Sequence, residues 1–250
     1  MSVHPTAIVE DGVALGDGVE IGPYAVVRAG TALGDGVVVG EHAVLGKRPR
    51  LGARSTAATG DLPGLVVGAG ATISTHAIVY AGTEVGAGAI IGDQAFVRER
   101  CAIGERTVIG RGVTVENDTR IGADCRVQSQ SDITAKSLLE DDVFIAPCVV
   151  TTNDNFMGRT EKRHALLKGP TIRRGARIGG AVCLCPGIEV GEEAFIGAGA
   201  VVTQDVPAGK VLVGIPARVI RDVPAGKVLV GVPARILRDV PDDELRANGG

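Results

Sequence analysis

VGAGATISTHAIVYAGTEVGAGAIIGDQAFV, residues Val67–Val97, repeats itself every six residues. Val67, Ile73, Val79, Val85, Ile91 and Val97 mark the beat. Four residues after each beat comes a small or β-branched one: Ala71, Ala77, Thr83, Ala89 and Ala95. The beat extends well beyond this stretch. Upstream it falls on Val9, Leu15, Ile21, Val27, Leu33, Val39, Leu45 and Leu51; downstream it runs without a slip through Ile145 to Thr151. A third run joins Ile172, Ile178, Leu184, Val190, Ile196 and Val202. Of these 29 beats, 28 are Val, Ile or Leu. A helix repeats near 3.6 residues and a strand near 2, so neither accounts for a period of six. Short strict periods are the mark of a solenoid of stacked strands.

Three hexads make one triangular coil, each side a short parallel strand and each corner a turn. The aliphatic beat points inward and stacks on the beat three hexads later. The residue at beat plus four fits the inner corner, and glycine relieves crowding at the turns. Coils stack at ~4.8 Å, so about ten coils form a prism roughly 45 Å long. The expectation is an all-β parallel β-helix spanning 1–206, with insertions at about 47–66 and 152–171, and a non-repeat tail over 207–250.

Composition agrees with one narrow prism. Aromatic residues are 2% of the 250, with no Trp, which would starve an ordinary globular core. A net charge of −3 argues against nucleic acid as the main partner. No apolar run approaches the ~20 residues that span a bilayer. The opening MSVHPTAIVEDG lacks the basic and apolar regions of a signal peptide, so a cytoplasmic protein is expected. Of five cysteines, Cys101 and Cys125 occupy the inner-corner slot and read as packing residues. Cys183 and Cys185 lack partners for zinc, and no metal is expected.

A solenoid tolerates insertion only at its corners, so breaks in the rhythm mark where function is grafted. The first break, between Leu51 and Val67, opens with Lys47, Arg48, Arg50 and Arg54. The second lies between Thr151 and Ile172. From Phe156 to Arg177 it holds seven basic residues against one acidic, Glu161. Arginine forks suit phosphate, which makes Arg159 and Arg163 candidates for a diphosphate. The tail is a tandem duplication: DVPAGKVLVGIPARVIR (205–221), then DVPAGKVLVGVPARILR (222–238), identical at 14 of 17 positions. Its prolines forbid one continuous helix.

VFIAPCVVTTND (Val143–Asp154), GPTIRRGARIGG, PGIEVGEEAFIGAGAVVTQDVP and VGIPAR together resemble the hexapeptide-repeat acyltransferases. Within that family they look most like bacterial N-acetyltransferases of nucleotide-linked amino sugars. The opening HPTAIVEDGVALGDGVEIGPYA also resembles UDP-acetylglucosamine O-acyltransferases. The resemblance implies a left-handed coil, a homotrimer with sites between prisms, acetyl-CoA as co-substrate, and a UDP- or dTDP-linked amino sugar as acceptor. It places Asn153 beside the sugar amine and thioester, with Asp154 in the same TND element. It places Gln128 and Gln130 two coils lower on the same wall. Gly179, Gly180, Ala198, Gly199 and Thr203 would border the pantetheine arm, and Lys210 and Arg218 would meet coenzyme A phosphates. The chain departs from the family at Ile215, often Asn, and at IGGAVCLCPG, where the family has IGANATILPG.

Histidine is scarce: His4, His42, His76 and His164. A hydroxyl acceptor needs a base at neutral pH, whereas a deprotonated amine carries its own lone pair. His76, in ISTHAIVYAG, is the best base candidate, and an exposed corner residue is its bland reading. The scarcity leans towards direct attack by an amine. The alternatives are an O-acetyltransferase using a histidine base and a non-enzymatic β-helix scaffold. A zinc carbonic anhydrase would need three converging histidines, which these spacings do not supply.

Overall fold

In the computed structural model almost every hexad forms a two-residue strand followed by a turn, and every third strand pairs in parallel. The structure describes residues 1–215 except 53, 54, 56 and 59, together with the backbones of 218–219, 227–230 and 235–239. Three sheets form the faces of a prism. The first face pairs Ser2 with Glu20, the second Ile8 with Val26, and the third Ala14 with Ala32, each partner lying three hexads on. The sheets hold 12, 10 and 9 strands, the last of the 12 being an antiparallel return. The expected stack of about ten coils is therefore present.

The beat residues fill the interior. Ile73, Ile91, Ile109, Ile133, Ile145, Ile178 and Ile196 are fully buried, and so are Ala71, Ala77, Ala89 and Ala95 in the inner-corner slot. Each such aliphatic chain contributes roughly 1.5–3 kcal/mol by leaving water. At several positions where the slot holds a hydroxyl, it reaches a backbone carbonyl of the coil above. Thr83 donates to Arg98 O at 2.6 Å, Thr107 to Gly122 O at 2.7 Å and Ser131 to Ala146 O at 3.0 Å. These buried hydroxyls are thereby satisfied. Glycine after the beat answers to a close approach: a Cβ on Gly34 would lie 2.7 Å from Ala69 N in the next coil.

Each corner of the prism joins two faces in chain order. Many corners turn through a left-handed residue, often not glycine: Tyr24, His42, His76 and Gln94 on the first-to-second corner have φ of 57° to 60°. That conformation is disfavoured for L-residues and persists because each turn is clamped between two others.

Both insertions leave the prism at the second-to-third corner. Leu33 pairs with Val67, and Leu139 with Ile172. An unbroken stack would instead have paired them with Leu51 and Met157, so each insertion loops out a little less than one further coil of chain. One beat is lost in the process: Val67, not Leu51, stacks on Leu33, so Leu51 belongs to the insertion. At the far end Leu212 pairs with Ile196 across a slightly shortened coil, and Val206 and Leu212 are buried. The stack therefore continues past residue 206, the expected boundary of the tail. In the first duplicated copy Leu212 pairs with Val219 and Val213 with Arg218. In the second Leu229 pairs with Ile236 and Val230 with Arg235. Every partner is displaced by the same period as the sequence repeat, so the duplication repeats one hairpin in one register.

Candidate functional site

The second insertion is tied down at its base. Lys168 N–H donates to Asn153 O at 3.1 Å, and Asn153 Nδ2 donates to Ala135 O at 3.2 Å, one coil below. This fixes the amide at the corner and commits one of its two N–H donors. Asp154 caps the turn that follows: its carboxylate accepts from Gly158 N–H and Phe156 N–H, each at 2.8 Å. The Gly158 bond, then the Phe156 bond, hold its pKa below the usual carboxylate value. Arg163 approaches Asp154 at 3.7 Å from the helical turn Arg163–Leu166. His164 lies on the same turn, 3.5 Å from Glu161.

The positive field expected of this loop is smaller than its sequence suggests. Arg173 is bound by Glu140 at 2.7 Å and Glu189 at 2.9 Å. Arg174 meets Asp141 at 2.9 Å, and Arg177 lies 3.8 Å from Glu193 and over the Phe195 ring. Among the described residues Arg159, Lys162 and Lys168 alone of the seven make no ion pair.

Within one chain the candidates do not converge. Gln128 and Gln130 follow the strand Arg126–Val127 and lie on the first-to-second corner, one coil below Asn153 rather than two. Asn153 lies at the opposite edge of the second face. The expectation that they share its wall is corrected, because the width of a strand separates the two corners. His76 shares the corner of the glutamines but sits four coils below Asn153, ~19 Å along the axis. It stacks on His42 at 4.9 Å, which stacks on Tyr24 at 5.0 Å, an exposed ring ladder.

The cofactor candidates divide similarly. Gly179, Gly180, Ala198 and Gly199 stand on the first-to-second corner, in the two coils that include Arg177–Ile178 and Phe195–Ile196. A Cβ on Gly179 would lie 2.5 Å from Ala198 N, so coil stacking alone requires that glycine, whereas Gly199 borders open space. Thr203 follows Val201–Val202 on the second-to-third corner. Lys210 precedes Val211 on the third-to-first corner and is exposed. One groove on one chain cannot hold all of them. Arg218 lies in the strand Arg218–Val219, and its side chain is outside the described residues. Among the described residues no three His, Cys, Asp or Glu side chains come together as a metal site, and no helix is long and apolar enough to cross a membrane.

Single motifs do not show a set of ion pairs whose two members lie one coil apart. Arg100 meets Asp118 at 2.6 Å, Arg106 meets Asp124 at 2.7 Å, and Arg98 meets Glu116 at 3.0 Å, each pair three hexads apart. Pairing opposite charges at that spacing would have found them. Fully buried Glu99 is held by Arg98 Nη2 at 2.8 Å and lies 3.7 Å from Arg100. Arg100 also donates to Ala58 O at 3.4 Å, which secures the first insertion against the prism.

Comparison with known proteins agrees with this architecture. The model of the bacterial transferase hexapeptide (six repeats) matches residues 12–47. That of the hexapeptide repeat of succinyl-transferase matches residues 172–204. The chain is a hexapeptide-repeat protein. No curated protein matches it significantly. Among solved structures, this hexapeptide-repeat protein is similar to the UDP-N-acetylglucosamine acyltransferase of Arabidopsis, at 19% identity and a TM-score of 0.50, covering 87% of this chain and 73% of that one. The Bacteroides fragilis enzyme of that name gives 17%, 0.50, 87% and 73%. Another crystal structure of a UDP-N-acetylglucosamine acyltransferase gives 19%, 0.53, 88% and 73%. At these identities the likeness establishes the shared fold.

Proposed function

We propose that the protein is an acyltransferase that moves an acetyl group from acetyl-CoA to the amino group of a UDP- or dTDP-linked amino sugar. The observation that carries this reading is the surroundings of Asn153. Its amide is oriented by Ala135 O. His164, on the helical turn of the same loop, has Nε2 3.5 Å from exposed Glu161, and the other three histidines belong to other parts of the prism. An acceptor that needs no histidine base suits such a corner: Asn153 orients the neutral amine, and a backbone N–H at a coil edge stabilises the oxyanion as the C–N bond forms. The amine's proton leaves to solvent and the thioester breaks to release coenzyme A.

A homotrimer would gather the separated candidates. The second face is the most apolar outside, presenting Ile8, Val26, Val44, Ile78, Phe96 and Val150, with Ile8 57% and Val150 43% exposed. Such a surface favours being covered. If that face turns towards a three-fold axis, the first-to-second corner of one copy lies beside the second-to-third corner of the next. Gln128, Gln130, Gly179 and Gly180 then approach Asn153 of the neighbouring copy at nearly matching height. His76 stays well below. Arg159 and Arg163 on the loop would meet the diphosphate or coenzyme phosphates. The test is acetyl transfer over a panel of UDP- and dTDP-amino sugars with their hydroxyl analogues, beside light scattering. Turnover of hydroxyl analogues alone favours the histidine-base reading, no turnover favours a scaffold, and a monomer removes the shared site.

A further inference from the structure

The first insertion carries a site of its own. Below it lies an open cavity of roughly 730 Å³ on the second-to-third corner, lined by Arg28, Lys47, Arg48, Arg50, Tyr80 and Glu10. Four cations thus face one carboxylate. That carboxylate is already engaged: Glu10 accepts from Ala29 N–H at 2.9 Å and pairs with the Arg28 guanidinium. Among the described residues Lys47, Arg48 and Arg50 form no ion pair, in contrast to the arginines of the second loop.

A local departure from the coil builds the pocket. The strand Val44–Lys47 is longer than its neighbours and slips register, so that Lys47 rather than Gly46 pairs with Tyr80. Gly46 has φ of 73°, which permits the bulge. The slip leaves the Thr31 hydroxyl, 1% exposed, without a partner among the described residues. Its equivalents at Thr83, Thr107 and Thr119 donate to Arg98 O, Gly122 O and Thr134 O, and the corresponding acceptor for Thr31 would be Gly46 O. A buried hydrogen bond is given up where the chain turns Lys47 over the Tyr80 ring, 5.2 Å from its centroid. Strain of this kind gathers at ligand-binding positions. Arg48 and Arg50 continue from there above the same cavity.

We propose that this pocket binds the phosphate or diphosphate group of a small molecule, at a site separate from the Asn153 corner. The strands that lead into the two loops are five coil steps apart, ~24 Å, too far for one diphosphate to bridge. Unpaired arginine forks with a neighbouring ammonium are suited to phosphate oxygens, and a pocket with excess positive charge concentrates anions. The inference does not depend on the acetyl-transfer reading.

The test is titration calorimetry with inorganic pyrophosphate, and separately with uridine 5′-diphosphate, on the Arg159→Glu/Arg163→Glu protein. That background weakens the second loop and leaves the first untouched. Saturable binding is expected. Adding Arg48→Glu and Arg50→Glu should weaken it at least about 10-fold, the scale of losing charged hydrogen bonds. Circular dichroism on the same samples verifies the fold, and Lys47→Gln alone should give a smaller loss in the same direction. Equal affinity for the two probes identifies a bare phosphate site, and tighter uridine diphosphate binding identifies a nucleotide site. No saturable binding in the background protein, or unchanged affinity after reversing Arg48 and Arg50, overturns the proposal.

Discussion

Glu99 offers the sharpest test of what holds the middle of the prism. Its side chain is fully buried, accepting from Arg98 Nε at 3.1 Å and Arg98 Nη2 at 2.8 Å, with Arg100 Nη2 at 3.7 Å. Glu99→Ala leaves two guanidiniums, 21% and 26% exposed, close to one another without their shared carboxylate. Removing one member of a buried pair typically costs about 3–5 kcal/mol. The lower end applies here, because Arg98 keeps Glu116 at 3.0 Å and Arg100 keeps Asp118 at 2.6 Å. At about 2–4 °C per kcal/mol for a chain of this size, a loss of ~3 kcal/mol lowers Tm by roughly 6–12 °C. Glu99→Gln should come close to this, since an amide N–H₂ would face guanidinium donors. Arg98→Met/Glu99→Met should recover much of the loss, because an apolar replacement of a buried pair is often nearly neutral. Thermal unfolding by circular dichroism is the main assay, with amide exchange at Cys101 and Ala102 reporting locally, since solenoids can open in part. A Tm within about 2 °C of wild type for Glu99→Ala, below ~1 kcal/mol on the same scale, would refute the reasoning. So would a double variant worse than both single ones.

Other outcomes follow from the same geometry. Asn153→Ala should lower kcat by about 10²-fold or more, with His76→Ala and His164→Ala mild; an inactive yet folded histidine variant would revive the base-assisted mechanism. The Asp154 cap should fail in acid. Its folded pKa lies below the ordinary value of 3.8, so the stabilisation is complete above that value and disappears as pH falls through the lower folded one. Proteolysis between Phe156 and Lys162 should therefore quicken below about pH 4; a rate that stays flat to lower pH would show the cap to be unimportant. Burial pushes the Cys101 thiol up to about 12 and the Cys125 thiol up to about 11. Iodoacetamide at about pH 8 should spare both in the native protein while modifying exposed Cys148, as mass spectrometry would read. Modification of Cys101 at the rate of Cys148 would mean that the coil opens readily.

The period of six, read from Val67 to Val97, determines the prism because its logic is local and repeated. An inward aliphatic at each beat and a small residue four later admit one coil geometry, and the interior agrees from Ile21 to Leu212. The insertions were legible as breaks in that rhythm. Their exit at the second-to-third corner was not, because only the pairing of Val67 with Leu33 and of Ile172 with Leu139 assigns those strands to the third face. Leu51 shows the limit: it keeps the beat, yet Leu65 and Val67 fill the coil, because a strand joins the stack only where its neighbours above and below accept it. The candidate site depended far more on three dimensions. Asn153 and Gln130 are close in sequence and occupy opposite edges of one face. The seven basic residues before and after Gly169 read as one field until Glu140, Asp141, Glu189 and Glu193 from adjacent coils engage three of them. Charge cancellation is set by what lies one coil up or down, far off along the chain. The pocket under Arg48 arises likewise from a slipped pairing at Gly46, a matter of backbone register that composition does not encode.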